Sequence, residues 1–218
     1  MNQVDIIEIF YRNKSEENAL PMSAYMKNQF PFLGLKRPKR NELQKAFIKE
    51  AKKKKEIDWD FVFKCWALPE REFQYLAADY LVAMKDYMLD TEIEKIEKLI
   101  VTKSWWDAAD ILAPKVVGEL CSKYPYLIEE YIMKWCISDN IWLRRTSLLF
   151  QLKYKEKTDT KLLEKIILEN KDTKEFFINK AIGWILREFS KTNKEWVKSF
   201  IDNNTLHPLS VKEGSKYL

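Results

Sequence analysis

Apolar residues recur every three to four positions along almost the whole chain, with polar residues between them. This spacing is the period of an amphipathic α-helix, and it predicts about twelve helices, most of them roughly 10 to 20 residues long. No stretch alternates convincingly in the way that predicts a strand. The pattern breaks where helices are expected to begin or end, at Pro38, Pro69 and Pro125 and at the capping-type junctions 138–140 and 172–174. The sequence therefore predicts an all-α fold.

The predicted helices contain an internal repeat. Four segments align at intervals of 32, 37 and 34 residues: REFQYLAADYL from Arg71, KSWWDAADILA from Lys103, NIWLRRTSLLF from Asn140 and KEFFINKAIGW from Lys174. The third position of each holds an aromatic anchor: Phe73, Trp105, Trp142 and Phe176. In at least three cases a shorter helix precedes the anchored one, which indicates a helical hairpin of HEAT length. Stacked hairpins predict a superhelical solenoid, a single domain over residues 1–218, with a concave face lined by the second helices.

Three columns of this repeat carry candidate functional residues. The residues five positions after the anchors are Ala78, Asp110, Ser147 and Ala181. Asp110 is therefore the only charge in a column of small residues. Trp106 follows directly after its anchor, and Trp184 comes eight positions after the last one. These columns lie within about 60° of one another on a helical wheel, so we expect Trp106, Asp110 and Trp184 to line one surface of adjacent helices. Trp105 belongs to the anchor column and is expected to pack against a neighbouring repeat.

Basic residues accompany this surface. Lys180 and Arg187 share a helical face with Trp184, at i, i+4, i+7 spacing, and Lys153 falls in the column of Arg187. Arg145 lies near the start of the predicted helix that also carries Lys153. Aromatic residues and cations around one acid are suited to a duplex nucleic acid, although core tryptophans with unrelated surface cations would give the same pattern.

Composition narrows the class of protein. Hydrophobic residues make up 46% of the chain, which is typical of a globular protein, and only 4 glycines and 7 prolines leave few of the turns that strand hairpins need. No apolar run approaches membrane-spanning length. Cys65, Cys121 and Cys136 lack CxxC spacing, so we expect reduced core thiols in a cytoplasmic protein. Because His207 is the only histidine, the sequence disfavours histidine-based metal sites and Ser-His-Asp triads.

The net charge of +5 is unevenly distributed. Residues 36–55 contain ten lysines or arginines against only Glu42 and Glu50. A solvated helix face and a phosphate-contacting patch both explain this run, and the charge alone does not distinguish them.

Asp110 suggests a particular chemistry. A carboxylate in a basic groove repels the phosphates of DNA, so it is useful only if a positive charge develops opposite it. Hydrolysis of an N-glycosidic bond supplies that charge, because the deoxyribose becomes oxocarbenium-like as the base leaves. A base alkylated at a ring nitrogen is already cationic and leaves without a general acid, and indole faces suit such a cation. In the alternative interpretation, Asp110 is a surface acid or the ion-pair partner of a nearby lysine or arginine.

Segments across most of the chain resemble the HEAT-like-repeat DNA alkylation repair glycosylases, the AlkD family. They are LPEREFQ (68–74), LIVTKSWWD (99–107), SDNIWLRR (138–145), LLFQLKYK (148–155), KEFFINKAIGW (174–184) and LREFSKTN (186–193). The resemblance extends from the segment that begins at residue 21 to the one that ends at residue 210, in consistent order.

This resemblance implies a bacterial base-excision enzyme that removes N3-alkyladenine and N7-alkylguanine from double-stranded DNA. It also implies that the base is not flipped into a pocket and that no metal or organic cofactor is needed. By position, Trp106, Asp110 and Trp184 match the catalytic residues of the family, with Asp110 stabilising the deoxyribosyl cation and positioning water. The implied DNA-binding residues are Tyr25, Arg145, Lys153 and Arg187. We expect the protein to act as a monomer in the cytoplasm.

Two other functions stay open at this point. Some relatives in the superfamily bind damaged or branched DNA without excising bases, but they depart from the catalytic trio that is intact here. A HEAT scaffold for a protein partner is the third interpretation, and the basic stripe around a single acid speaks against it.

Overall fold

The computed structural model describes residues 3–218, and within that range the chain forms helices and no strand. The predicted all-α, helical-repeat fold class is confirmed. The residues group into two compact units, one ending at Met88 and the other spanning Leu89–Leu218. The single domain over residues 1–218 stays a prediction. In the same described range, every helix is too short or too polar to cross a membrane.

The first unit is built from helices whose ends follow from the local sequence. Its helices are α1 (Gln3–Arg12), α2 (Glu16–Tyr25), α3 (Arg37–Lys54), α4 (Trp59–Ala67) and α5 (Arg71–Met84). Pro38 lies in the first turn of α3, as predicted, where its missing N–H group leaves no helical hydrogen bond unmade. Asp58 caps α4 by accepting the main-chain N–H of Phe61 at 3.0 Å.

The basic segment 36–55 forms α3 and its flanking residues, and its charges divide into two groups. Arg40 is only 5% exposed, with its guanidinium 4.3 Å from the centre of the Tyr75 ring and 3.7 Å from Asp79. Residues 52–55 are exposed. Arg40 therefore belongs to the core of the first unit, and for the exposed lysines both interpretations, a solvated face and a phosphate-contacting patch, stay open.

The second unit carries the later repeats. Its helices are α6 (Ile93–Val101), α7 (Trp106–Leu112), α8 (Gly118–Lys123), α9 (Met133–Cys136), α10 (Ile141–Leu149), α11 (Thr160–Asn170), α12 (Phe176–Phe189), α13 (Lys194–Asn203) and α14 (Pro208–Gly214). A π-helical turn, Ala113–Val117, joins α7 to α8 without a break, and Ile128–Ile132 leads into α9 in the same way. Helix α7 packs against α10, and α10 packs against α12. The three anchored helices of this unit, α7, α10 and α12, are therefore consecutive neighbours.

The start of α10 shows how the sequence defines a repeat. Asn140 accepts the main-chain N–H groups of Trp142 and Leu143 at 2.9 and 3.3 Å. Such a side-chain cap satisfies donors that have no partner within the helix. The capping junction predicted at 138–140 is confirmed.

An aromatic cluster joins the starts of the three anchored helices. The ring centroids are 5.7 Å apart for Trp105 and Trp142, 5.3 Å for Trp105 and Phe177, and 5.1 Å for Trp142 and Phe177. The predicted packing of Trp105 against a neighbouring repeat is confirmed. The predicted anchor of the last repeat was wrong, because Phe176 is 58% exposed and Phe177 takes its place in the cluster. Successive residues of a helix point about 100° apart, so a one-residue shift at the start of α12 exchanges the two rings.

The cysteines and the histidine have structural surroundings. Cys65, Cys121 and Cys136 are buried and form no disulfide, as the sequence predicts. His207 caps α14, where its Nδ1 accepts the main-chain N–H of Leu209 at 3.1 Å.

Candidate active site in the second unit

Helix α7 brings Trp106 and Asp110 to one of its faces. The helix begins at Trp106, and residues four positions apart lie on the same side of a helix. Trp106 is partly buried, and 14% of the Asp110 side chain is exposed. Asp110 thus reaches solvent from a largely buried position, beside an indole that the aromatic cluster does not include.

Arg145 on α10 binds Asp110 through two parallel hydrogen bonds. Its Nε donates to Oδ1 at 2.8 Å, and its Nη2 donates to Oδ2 at 2.9 Å. Its remaining nitrogen, Nη1, donates to the main-chain oxygen of Phe177 on α12 at 2.5 Å. The Arg145 side chain is only 4% exposed, so one guanidinium connects all three anchored helices. All three guanidinium nitrogens of Arg145 already bind groups of the protein. Its direct contact with the DNA backbone stays a prediction.

Of the two alternatives that the sequence left open for Asp110, the ion pair is therefore present. It does not use the full capacity of the carboxylate. An ionised carboxylate offers about four lone-pair positions, and Arg145 takes two of them. The exposed part of Asp110 can accept a further hydrogen bond from water or from a bound molecule.

Two opposing effects act on the charge of Asp110. On balance the pKa of the Asp110 carboxyl is raised, because burial and the nearby charge of Asp107 outweigh the hydrogen bonds and the positive charge of Arg145, which lower it. Because both oxygens accept N–H bonds in a bidentate arrangement, the geometry is that of the ionised carboxylate. Asp110 is thus a negative charge held in a fixed orientation.

Helix α12 supplies a second set of side chains to the site. Lys180, Trp184 and Arg187 follow one face of the helix, as the sequence predicts. Trp184 is partly buried. Lys180 and Arg187 each lie 2.8 Å from a different carboxylate oxygen of Glu213 on α14. The two cations on either side of the indole are therefore held by one acid.

One cavity of about 340 Å³ brings these groups together. Its lining residues are Trp106, Asp110, Arg145, Phe176, Phe177, Lys180, Trp184 and Arg187. The structure thus gathers the three predicted catalytic residues and two of the predicted DNA-binding residues around one space. The aromatic faces and the carboxylate suit a flat or cationic group. The cations suit the phosphates of the chain to which such a group is attached.

The other two predicted DNA-binding residues do not line this cavity. Lys153 follows α10, and its Nζ lies 3.4 Å from a carboxylate oxygen of Glu188, with 53% of the lysine side chain exposed. Tyr25 ends α2 in the first unit and is 69% exposed. For both residues, contact with DNA stays a prediction.

Sequence reasoning missed two features of the site. Phe176 and Phe177 line the cavity, although the repeat indicated only a packing role for Phe176 and no role was assigned to Phe177. Glu213 lies beyond the last aligned segment and carries no motif. Its signal, a single acid between Lys212 and Lys216, is too common to indicate a role.

The fold and the site together define a class: helical-repeat proteins with a fixed carboxylate between indoles and cations. A family model described as DNA alkylation repair enzyme matches residues 6–218. The chain belongs to this family of DNA alkylation repair enzymes, as the resemblance of its sequence predicts, and its role lies in DNA repair. It is similar to a solved structure described as a predicted DNA alkylation repair enzyme from Enterococcus faecalis, with 37% identity and a TM-score of 0.86. That similarity covers 94% of this chain and 96% of the other. A search of curated proteins finds no match.

Proposed function

We propose that the protein is an alkylpurine DNA glycosylase of base excision repair. It hydrolyses the N-glycosidic bond of N3-alkyladenine and N7-alkylguanine in double-stranded DNA and leaves an abasic site. The observation that carries this proposal is the cavity in which Asp110 lies with Trp106 and Trp184. Membership of the DNA alkylation repair family supports it.

The reaction requires little from the protein beyond a fixed negative charge. The alkylated base is cationic, so it leaves as a neutral purine with both electrons of the C1′–N bond. The positive charge then develops on the deoxyribose, where the Asp110 carboxylate stabilises it. Water forms the new bond to C1′ and loses a proton, and Asp110 has lone pairs left to orient that water.

Arg145 suits Asp110 to this electrostatic role. A carboxylate that binds a guanidinium through both oxygens is held in one orientation and remains ionised. The same pairing makes it a weaker base than an isolated buried carboxylate would be. Asp110 therefore acts mainly by its charge and by orienting water.

The indoles and the polar lining support a reaction in which the base stays in the duplex. The faces of Trp106 and Trp184 attract a cationic adduct and pack against sugar. Pockets for flipped bases read the Watson–Crick edge with specific hydrogen-bonding groups. Among the described residues that line this cavity, there is no amide or hydroxyl side chain to do so.

Release of the free base from defined duplexes tests the proposal. Matched duplexes carry one 7-methylguanine, one 3-methyladenine, one neutral hypoxanthine or no lesion, and the released base is measured by chromatography. We expect release of both methylated bases and no release from the other two duplexes. Release at only the spontaneous rate from every duplex would contradict the proposal.

A non-catalytic binder of damaged or branched DNA is the alternative, and one observation favours it. Both oxygens of Asp110 bind Arg145, as they would if the carboxylate served only to hold α7 and α10 together. This alternative predicts tight, salt-sensitive binding without base release. It also predicts that affinity falls when Lys153 or Arg187 is replaced by a neutral residue.

A further inference from the structure

Glu213 on α14 connects three cations although it is almost completely buried. It is 5% exposed. Oε1 lies 2.8 Å from Nζ of Lys180, Oε2 accepts a hydrogen bond from Nη1 of Arg187 at 2.8 Å, and both oxygens accept bonds from Nζ of Lys216 at 2.9 Å. The bonds from Lys180 and Lys216, in that order, lower the pKa of the Glu213 carboxyl to about 2. Glu213 is thus a permanent negative charge at neutral pH.

The packing of α14 on α12 fixes the position of this carboxylate. A Cβ atom on Gly183 would lie 2.5 Å from Cβ of Glu213 and 3.0 Å from the main-chain oxygen of Ser210, so only glycine permits this approach. Ser210 is fully buried and donates its hydroxyl hydrogen to the main-chain oxygen of Asn179 at 2.9 Å. Asn179 directly precedes Lys180. The register of the two helices is therefore set next to the first cation that Glu213 holds.

Two of the three cations line the cavity, and Glu213 does not. Lys180 and Arg187 lie on either side of Trp184, with 39% and 26% of their side chains exposed. The ion pairs with Glu213 use one of the three N–H bonds of the Lys180 ammonium and one of the five N–H bonds of the Arg187 guanidinium. Both side chains therefore keep donors for an anion. Lys216, which completes the network, does not line the cavity and serves as an internal comparison.

We infer that Glu213 is a positioning residue that holds Lys180 and Arg187 as a two-point cradle for the backbone phosphates beside the lesion. The inference rests on the proposed function only in that DNA is the ligand of this cavity. Long cationic side chains lose conformational freedom when they bind a phosphate, and holding them in advance reduces that cost. A carboxylate behind both cations does this without approaching the DNA itself.

Charge and position predict opposite effects, which makes the inference testable. Glu213→Gln removes a negative charge, so bulk electrostatics alone would make DNA binding tighter. If position matters more, the variant binds more weakly because both cations lose their fixed orientation. Ordering costs for two side chains correspond to a loss of about tenfold in affinity.

The experiment measures the dissociation constant of the full-length protein for an undamaged duplex over a series of salt concentrations. Glu195→Gln on the exposed surface of α13 is the control, since it changes the net charge by the same amount. We expect Glu213→Gln to bind about tenfold more weakly than Glu195→Gln, with a shallower salt dependence. Binding as tight as that of the control would overturn the inference.

Further variants keep the test decisive if Glu213→Gln does not fold. Glu213→Asp keeps the charge and withdraws the carboxylate by one methylene, so we expect weaker binding at unchanged net charge; wild-type affinity would overturn the inference. In a protein that carries both Lys180→Met and Arg187→Met, adding Glu213→Gln should no longer weaken DNA binding. In a protein that carries Lys216→Met, adding Glu213→Gln should still weaken it. Because the ligand is undamaged DNA, absence of base release would refute the proposed function without changing this result.

Discussion

Replacing Asp110 by Asn should affect both the stability and the activity of the protein, for separable reasons. The substitution removes the negative charge and turns an amide NH₂ group toward the guanidinium of Arg145, which is only 4% exposed. Breaking a fully buried pair costs about 3–5 kcal/mol, and the 14% exposure of Asp110 reduces this to about 2–3 kcal/mol. In a chain of this size, that loss corresponds to a melting temperature roughly 4–12 °C lower.

Loss of the carboxylate should also abolish most catalysis. Removing one preorganised group that stabilises transition-state charge lowers a rate by about 10²–10³-fold. A fall in activity alone would not identify the cause, because the less stable variant also holds less of its site together. The two effects have to be separated by a second substitution.

Arg145→Gln in the same chain provides that separation. The double variant carries two neutral amides where the ion pair was, so no buried charge lacks a partner, and because the bond from Arg145 to the main-chain oxygen of Phe177 is also lost, stability should return to about 1 kcal/mol below wild type. The coupling energy between the two positions should be about 2 kcal/mol. Excision should remain as low as in Asp110→Asn, because no anion faces the sugar.

Thermal unfolding followed by circular dichroism and single-turnover release of 7-methylguanine are the two measurements. Asp172→Asn is the matched control, since Asp172 also pairs with a cation but is 82% exposed, and its melting temperature should equal that of wild type. Equal melting temperatures for Asp110→Asn and wild type would refute the reasoning about the buried pair. Recovery of excision together with stability in the double variant would show that Asp110 is structural.

Three further substitutions test other parts of the site. Trp184→Leu would remove the proposed cation–π contact with the alkylated base, worth about 0.5–2 kcal/mol, so single-turnover release of 7-methylguanine should fall roughly 2- to 30-fold; an unchanged rate would show that Trp184 does not contribute to the reaction. Lys153→Ala breaks only an exposed pair with Glu188, so its melting temperature should not change, while binding titrations should show weaker DNA affinity and a salt slope shallower by about 1. Glu213 has a folded-state pKa of about 2, below its unfolded value of about 4.3. Its contribution to the free energy of unfolding is therefore complete above about pH 4.3 and is lost as the pH falls toward 2. The free energy of unfolding of Glu213→Gln should therefore fall less steeply with decreasing pH over that interval than that of wild type. An identical slope for the two proteins would contradict the ion-pair network.

The parts of the fold that could be predicted from sequence are those that local spacing determines. The cap at Asn140 and the shared faces of α7 and α12 depend on residues within one or two turns of each other. Trp106 and Asp110 could be placed together for this reason. Trp184 could be added because the repeat relates one helix to the next.

The remaining features depend on how helices meet. Asp110 and Arg145 are 35 residues apart, and whether they pair depends on the register between α7 and α10. Arg187 and Glu213 are 26 residues apart, on helices whose close approach no periodic pattern indicates. The exchange of Phe176 for Phe177 is a shift of one residue at the start of a helix, where periodicity gives the least precise information.

Single-turnover release of 7-methylguanine, with wild type and the Asp110→Asn/Arg145→Gln double variant compared at equal folded concentration, decides whether Asp110 is the catalytic anion. We predict rapid release by wild type and a rate about 10²-fold or more lower for the double variant, although both are folded and bind DNA. Equal rates of release, or no release by wild type above the spontaneous rate, would contradict the proposed chemistry.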